Sequence, residues 1–238
     1  MDRLGTRLAN LVIAIATGLG ILALVLPLFL NPVWVGFEQG RSQATAWTGF
    51  SEAELRIATD AILGDLVVGP PDFDVAVDGV PVLNEREQSH MRDVRAVFIG
   101  FFAVTLAVVI GAVVITARRG SGRAAQTWRA IRSGSLGLII VLVFAGGAAV
   151  LAFDVLFEVF HRLFFAGGSY TFDPATERLV QLFPFQFWQE TAMAVGIVAI
   201  VLAAVVAVVA HRRLERSTAA TTLVDGPAPA RLTGDASG

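Results

Sequence analysis

Four stretches of this chain run for 20 or more residues without a charged side chain: Leu11 to Leu30, Ala96 to Ala117, Gly134 to Phe153 and Thr191 to Ala210. A helix rises 1.5 Å per residue, so about 20 residues cross the roughly 30 Å hydrocarbon core of a bilayer. The chain therefore reads as an all-α membrane protein with four transmembrane helices. Its mean hydropathy of +0.69 and its charged fraction of 16% put a water-soluble domain out of consideration.

The first run follows Arg3 and Arg7 as the core of a secretory signal would. Such cores span only about 7–15 residues and lead straight into a small-residue cleavage site. Here a full-length span is followed by Asn31-Pro32-Val33-Trp34, so it reads as an uncleaved anchor.

Cytoplasmic flanks of membrane proteins carry the excess of basic residues. Arg3, Arg7, Arg118, Arg119, Arg123, Arg129, Arg132, Arg212, Arg213, Arg216 and Arg231 fall on one side of a four-span arrangement, and the other seven arginines, with most of the acids, fall on the opposite side. Both termini are therefore expected in the cytoplasm. The outer segments are 33–95 and 161–190, with Trp34 and Trp188 at the outer interface. The membrane domain is expected over 1–216, followed by a disordered cytoplasmic tail over 217–238, which is rich in Ala, Thr, Pro and Gly. The Arg-rich inner loop that includes Trp128 reads as a connector. A net charge of −2 gives no basic footprint for nucleic acid. The absence of cysteine removes disulfides, thiolate metal sites and a cysteine acyl-enzyme.

The first outer segment is too long for a structureless loop. Ser51 with Glu54 forms a capping pattern, flanked by Phe50 and Leu55, and predicts a short amphipathic helix from Glu52 to Leu66 with Leu55, Ala58, Ile62 and Leu66 on one face. Gly69-Pro70-Pro71 ends it. Two short apolar runs across Asp78-Gly79 then predict a small β-hairpin, with Pro81 at an edge. Asn84 with Glu87 predicts an N-cap for a helix that continues into the second span.

Three histidines are present. His211 lies at the inner end of the last span beside Arg212 and Arg213, where a cation suits a helix C-terminus. His90 and His161 both fall on the outer side, each within about 10 Å of the apolar boundary at 1.5 Å per residue. Asp154, Glu158 and His161 share one helix face, and Asp93 sits three residues after His90. Ionisable residues at membrane depth mark functional sites. Arg92, Arg95 and Arg162 add positive charge, while Glu158 and Arg162 also have the spacing of a simple ion pair. Two imidazoles at one depth suit acyl transfer or hydrolysis at a lipid interface, one accepting a proton and the other steadying an oxyanion. His90, near a helix N-terminus, is expected to serve as base, and His161, beside carboxylates, as acid or oxyanion partner.

The segment from Glu85 to Val94 (EREQSHMRDV), together with Phe160-His161-Arg162-Leu163-Phe164-Phe165, Phe172-Asp173-Pro174 and Leu182 to Trp188 (LFPFQFW), resembles the bacterial lipoprotein intramolecular transacylase family. The resemblance covers residues 5 to 215. It implies a cofactor-free enzyme of the bacterial plasma membrane, with its active face extracytoplasmic. The reaction it implies moves a fatty acyl chain from the glyceryl group of a diacylated lipoprotein to the amine of its N-terminal cysteine. His90 and His161 match the family's catalytic histidines, with Asp93, Arg162, Glu158 and Asp154 as supporting candidates; the implied partners are membrane lipids and the lipoprotein. Two other readings remain open on the residues alone. One is a metal-dependent membrane hydrolase that uses both imidazoles with Glu158 and Asp154. The other is a non-catalytic scaffold or transport accessory protein packed through Gly146, Gly147 and Gly196.

Overall fold

The computed structural model describes residues 3–224. In chain order the elements are α1 (Arg3–Val25), a 3-10 turn over Leu26–Phe29, α2 (Pro32–Arg41), α3 (Ala44–Thr48), α4 (Glu52–Val67), and a hairpin of β1 (Ala76–Val77) and β2 (Val80–Pro81). There follow α5 (Glu85–Arg119), a 3-10 turn over Ser121–Arg123, α6 (Ala124–Phe164), α7 (Arg178–Leu182) and α8 (Phe185–Val224). Four of these, α1 with its 3-10 extension, α5, α6 and α8, are long and apolar enough to cross a membrane, and they contain the four uncharged runs apart from Leu30.

The spans form a bundle in which α1 touches α5, α6 and α8, and α6 packs most extensively on α8. On α8, Ala199, Ala203, Ala207 and Ala210 recur every three or four residues and are buried, which lets neighbouring backbones come close. Large apolar side chains such as Phe144, Leu151 and Leu106 point outward, as lipid-facing residues do.

The tightest approach is at Gly134 on α6. A Cβ there would collide with the carbonyl oxygen of Ala14 on α1 and would lie 2.8 Å from Ala14 Cα, contacts to backbone that no side-chain rotation relieves. By contrast, a Cβ on Gly146, Gly147 or Gly196 meets nothing within 4 Å, so the close packing anticipated at those glycines lies elsewhere. Gly134→Ala is accordingly expected to cost about 2 kcal/mol by forcing α1 and α6 apart. A thermal melt in detergent micelles measures it, with Gly147→Ala, expected neutral, as the control.

The segments 33–95 and 161–190 fold together as a cap on one end of the bundle. Its apolar core joins Leu55, Ala58 and Ile62 of α4 to Phe73, Val75 and Val77 around the hairpin, and to Leu179 and Leu182 of α7. The expected helix over 52–66 is therefore present, and its apolar face packs inside this cap. Its capping box is complete: Ser51 Oγ accepts from the Glu54 amide at 3.3 Å, and Glu54 Oε2 accepts from the Ser51 amide at 2.8 Å. Asp78 (φ +51°) and Gly79 (φ +78°) both adopt the left-handed conformation that a tight hairpin turn demands.

Asn31 caps α2 through the Val33 and Trp34 amides, with Pro32 opening the helix. Two buried polar side chains lock the cap. Gln39 of α2 donates to the Leu182 carbonyl at 3.1 Å and accepts from the Thr59 hydroxyl at 3.0 Å. Glu87 of α5, 1% exposed, completes the Asn84 capping box and accepts from the Leu179 amide at 2.6 Å.

At the opposite end, α8 stays helical to Val224, into the stretch expected as a tail from residue 217. Residues 225–238 of that stretch lie outside the described residues.

Candidate active site

The site is assembled where the cap meets the bundle. The Asn84 cap starts α5 above the apolar run, and this places His90 in the second turn, pointing under the cap. His161 arrives from α6, which is not straight: Ala152 takes non-helical angles (φ −155°, ψ 55°), and the helix resumes in a new direction that carries Asp154 to Phe164. The kink is set at the point where the uncharged run ends.

Although 71 positions apart in sequence, the two imidazoles lie nearly face to face, with ring centroids 6.1 Å apart and planes inclined by 21°. Both are buried, His90 at 6% and His161 at 9% exposure. Phenylalanine rings enclose them. Phe165 is 4.8 Å from His90 and 5.4 Å from His161, Phe172 is 5.4 Å from His90, and Phe157 is 4.1 Å from His161. Tyr170, the only tyrosine, sits 5.0 Å from the His161 ring.

The ring nitrogens differ. His161 Nδ1 is 2.7 Å from the Phe157 carbonyl oxygen, which can only accept, so Nδ1 carries a hydrogen. In the neutral ring that leaves Nε2 as the lone-pair nitrogen. His90 Nδ1 is buried and has no hydrogen-bond partner. A buried polar atom without a partner is costly, which makes this nitrogen a candidate to bind a ligand group.

The other candidates occupy secondary positions. Asp93 is exposed and is not bonded to His90, so it does not fix that ring's tautomer. Asp154 is exposed on the surface of α6. Glu158 accepts from Arg162 Nε at 2.7 Å and from the Tyr170 hydroxyl at 3.2 Å, so the ion pair read from their spacing forms, and these bonds turn Glu158 to Arg162 and Tyr170. Among the described residues no three His, Asp or Glu side chains converge as metal ligands. Arg92 donates to the Asp72 carbonyl, and Arg95 to the carbonyls of Asp65 and Gly69; both tie α5 to the end of α4 and the turn after it.

Sequence reasoning overlooked the strap that covers His90. Arg86 grips Glu177 with one nitrogen 2.5 and 2.6 Å from its two oxygens, donates to the Thr171 carbonyl, and lays its guanidinium 4.8 Å over Phe172, the ring that roofs His90. Glu177 also accepts from the Asp173 amide at 2.6 Å and from Asn84 at 3.4 Å. Burial works against its charge, but Arg86, the Asp173 amide and Asn84 outweigh it and hold the carboxyl below its ordinary value of 4.5.

Taken together, these features define a multi-pass membrane protein with a buried, aromatic-walled histidine pair at the junction of cap and bundle. The chain belongs to the lipoprotein intramolecular transacylase (Lit) family, whose model matches residues 11–188. The fold is also that of the membrane integral lipoprotein intramolecular transacylase Lit from Bacillus cereus, with a TM-score of 0.75 and 17% identity over 92% of this chain and 100% of that one. Two forms of the same Bacillus cereus protein, with one histidine replaced by arginine or by alanine, each match with a TM-score of 0.70 and 18% identity over 90% of this chain; the match covers 94% of the arginine form and 96% of the alanine form. No curated protein sequence is detectably similar.

Proposed function

We propose that the protein transfers a fatty acyl chain within a diacylated lipoprotein, from the glyceryl ester to the amine of the N-terminal cysteine, and that His90 and His161 perform the transfer. The observation that carries this reading is the pair of buried imidazoles 6.1 Å apart, one with its Nδ1 hydrogen committed to the Phe157 carbonyl and one with an unpartnered Nδ1. The ring chemistry favours the reverse of the roles expected from sequence. His161 Nε2 takes a proton from the attacking amine. A ring N–H of His90 donates to the oxyanion as the carbonyl becomes tetrahedral. Collapse breaks the glyceryl C–O bond, and the departing oxygen takes the proton from His161, leaving an amide and a free hydroxyl. The substrate supplies its own nucleophile, so the protein needs only to position both ends of one molecule.

The arginine distribution supports a plasma-membrane orientation with the cap on the extracytoplasmic side, where a lipoprotein's ester groups lie at headgroup depth. Mass spectrometry of lipoprotein N-termini from a bacterial host lacking such an enzyme tests the reaction. Expression of the chain is expected to convert the glyceryl-diacylated form to the lyso form with an amide-linked chain, and His90→Ala or His161→Ala is expected to leave the host pattern. An identical pattern with and without the intact protein overturns the proposal.

A further inference from the structure

Beside the histidine pair, between cap and bundle, lies a groove of about 320 Å³. Its walls include Phe157, Phe172, Val180, Phe183, Phe185 and Trp188, and no charged or amide side chain lines it. Two of these walls belong equally to the site: Phe157 packs on His161 at 4.1 Å and Phe172 on His90 at 5.4 Å. The groove therefore lies one aromatic side chain away from each imidazole. Phe185 and Trp188 at the start of α8 are 48% and 41% exposed, so the groove's rim is open on that side. A site lined in this way offers nothing to a headgroup or a peptide and is suited to hydrocarbon.

We propose that this groove seats the fatty chain being transferred, with its ester carbonyl at His90 and His161, so that the space in the groove selects the chain. The proposal rests on the acyl-transfer reading above. Val180 of α7 is the one wall among these six that is not aromatic, so it is the position where added bulk narrows the groove and lost bulk widens it. Each methylene denied its place in an apolar site weakens binding about fourfold.

Two measurements on the full chain in phosphatidylglycerol and phosphatidylethanolamine vesicles test this. The first uses a diether analogue of the diacylated lipopeptide, which cannot react, carrying a diazirine on one chain. Photoadducts are expected on Val180, Phe183 and Phe185, to persist against excess unlabelled phospholipid, and to fall about tenfold in Val180→Trp. Adducts scattered over Phe144 and Leu151, as given by a phospholipid bearing the same diazirine, overturn the groove. The second uses an equimolar mixture of ester lipopeptides of different chain length. Val180→Trp is expected to shift the amide product toward shorter chains by about tenfold in the ratio, and Val180→Ala, which removes bulk and keeps the fold, toward longer ones. An unchanged ratio in both variants overturns the proposal. Groove labelling by the ether without turnover of the esters retains the groove and sinks the acyl-transfer reading; turnover with scattered labelling does the reverse.

Discussion

His161→Asn is expected to lower single-turnover acyl transfer by about 10²- to 10⁴-fold in bilayer-reconstituted protein, the usual worth of a positioned general base. Asparagine is the informative replacement because its amide can still donate to the Phe157 carbonyl, so the local bond at 2.7 Å is preserved while the proton acceptor is lost. His90 should behave differently. As an oxyanion donor its loss to alanine is worth about 10²- to 10³-fold, but His90→Asn places an amide N–H near the lost Nδ1 and should recover a measurable part of that rate. Neither His161→Asn nor His161→Gln should recover any. Because the two rings act on one transition state, the double variant should be little slower than the slower single. Assays with a synthetic diacylated lipopeptide, read by mass spectrometry of the amide product, distinguish the roles. If both single variants stay within a few-fold of the intact protein while melting at the same temperature, the imidazoles are not the machinery.

The placement of that pair was legible in the sequence, and much of what holds it was not. Uncharged runs give the spans because bilayer thickness admits few alternatives, and the Asn84 and Ser51 caps announce α5 and α4 by local hydrogen bonding that requires no tertiary knowledge. His90 and His161 could be assigned one depth by counting residues from the apolar boundaries. The 6.1 Å approach could not, since it depends on the break at Ala152, which carries no proline or other local signal.

Asp93 and Asp154 were attractive by spacing alone; spacing fixes a helix face, not what packs on it, and both side chains are exposed. The cap's short helices were missed although Asn31-Pro32 is a cap followed by a first-turn proline, because the pair was read only as an argument against cleavage. Arg86 with Glu177, Gln39 with Leu182 and Glu87 with Leu179 join residues roughly 90 to 140 positions apart, a range over which periodicity and capping rules carry no information.

The contact between Arg86 and Glu177 yields the second large effect. Glu177→Gln is expected to destabilise the cap by about 3 kcal/mol, the low end of the cost of breaking a buried ion pair, since Arg86 is half in solvent and recovers some hydration. The amide cannot accept from Arg86 and the Asp173 amide through both of its heteroatoms as the carboxylate does at 2.5–2.6 Å. The intact protein should show the same loss on acidification. The Glu177 carboxyl is held below 4.5 in the folded state, so its contribution is fully present at neutral pH, begins to fall near pH 4.5 and disappears as the pH drops through the folded value. The melting temperature of the intact protein should therefore decline below about pH 4.5 more steeply than that of Glu177→Gln, and the two curves should converge. Arg86→Lys keeps the charge but loses the planar fork over Phe172 and should fall between them. Phe172 roofs His90, so release of the strap should also unroof the site: transfer by Glu177→Gln should decline at neutral pH even at temperatures where the bundle remains folded. Equal melting temperatures for Glu177→Gln and the intact protein at neutral pH would show that the strap contributes nothing to the cap.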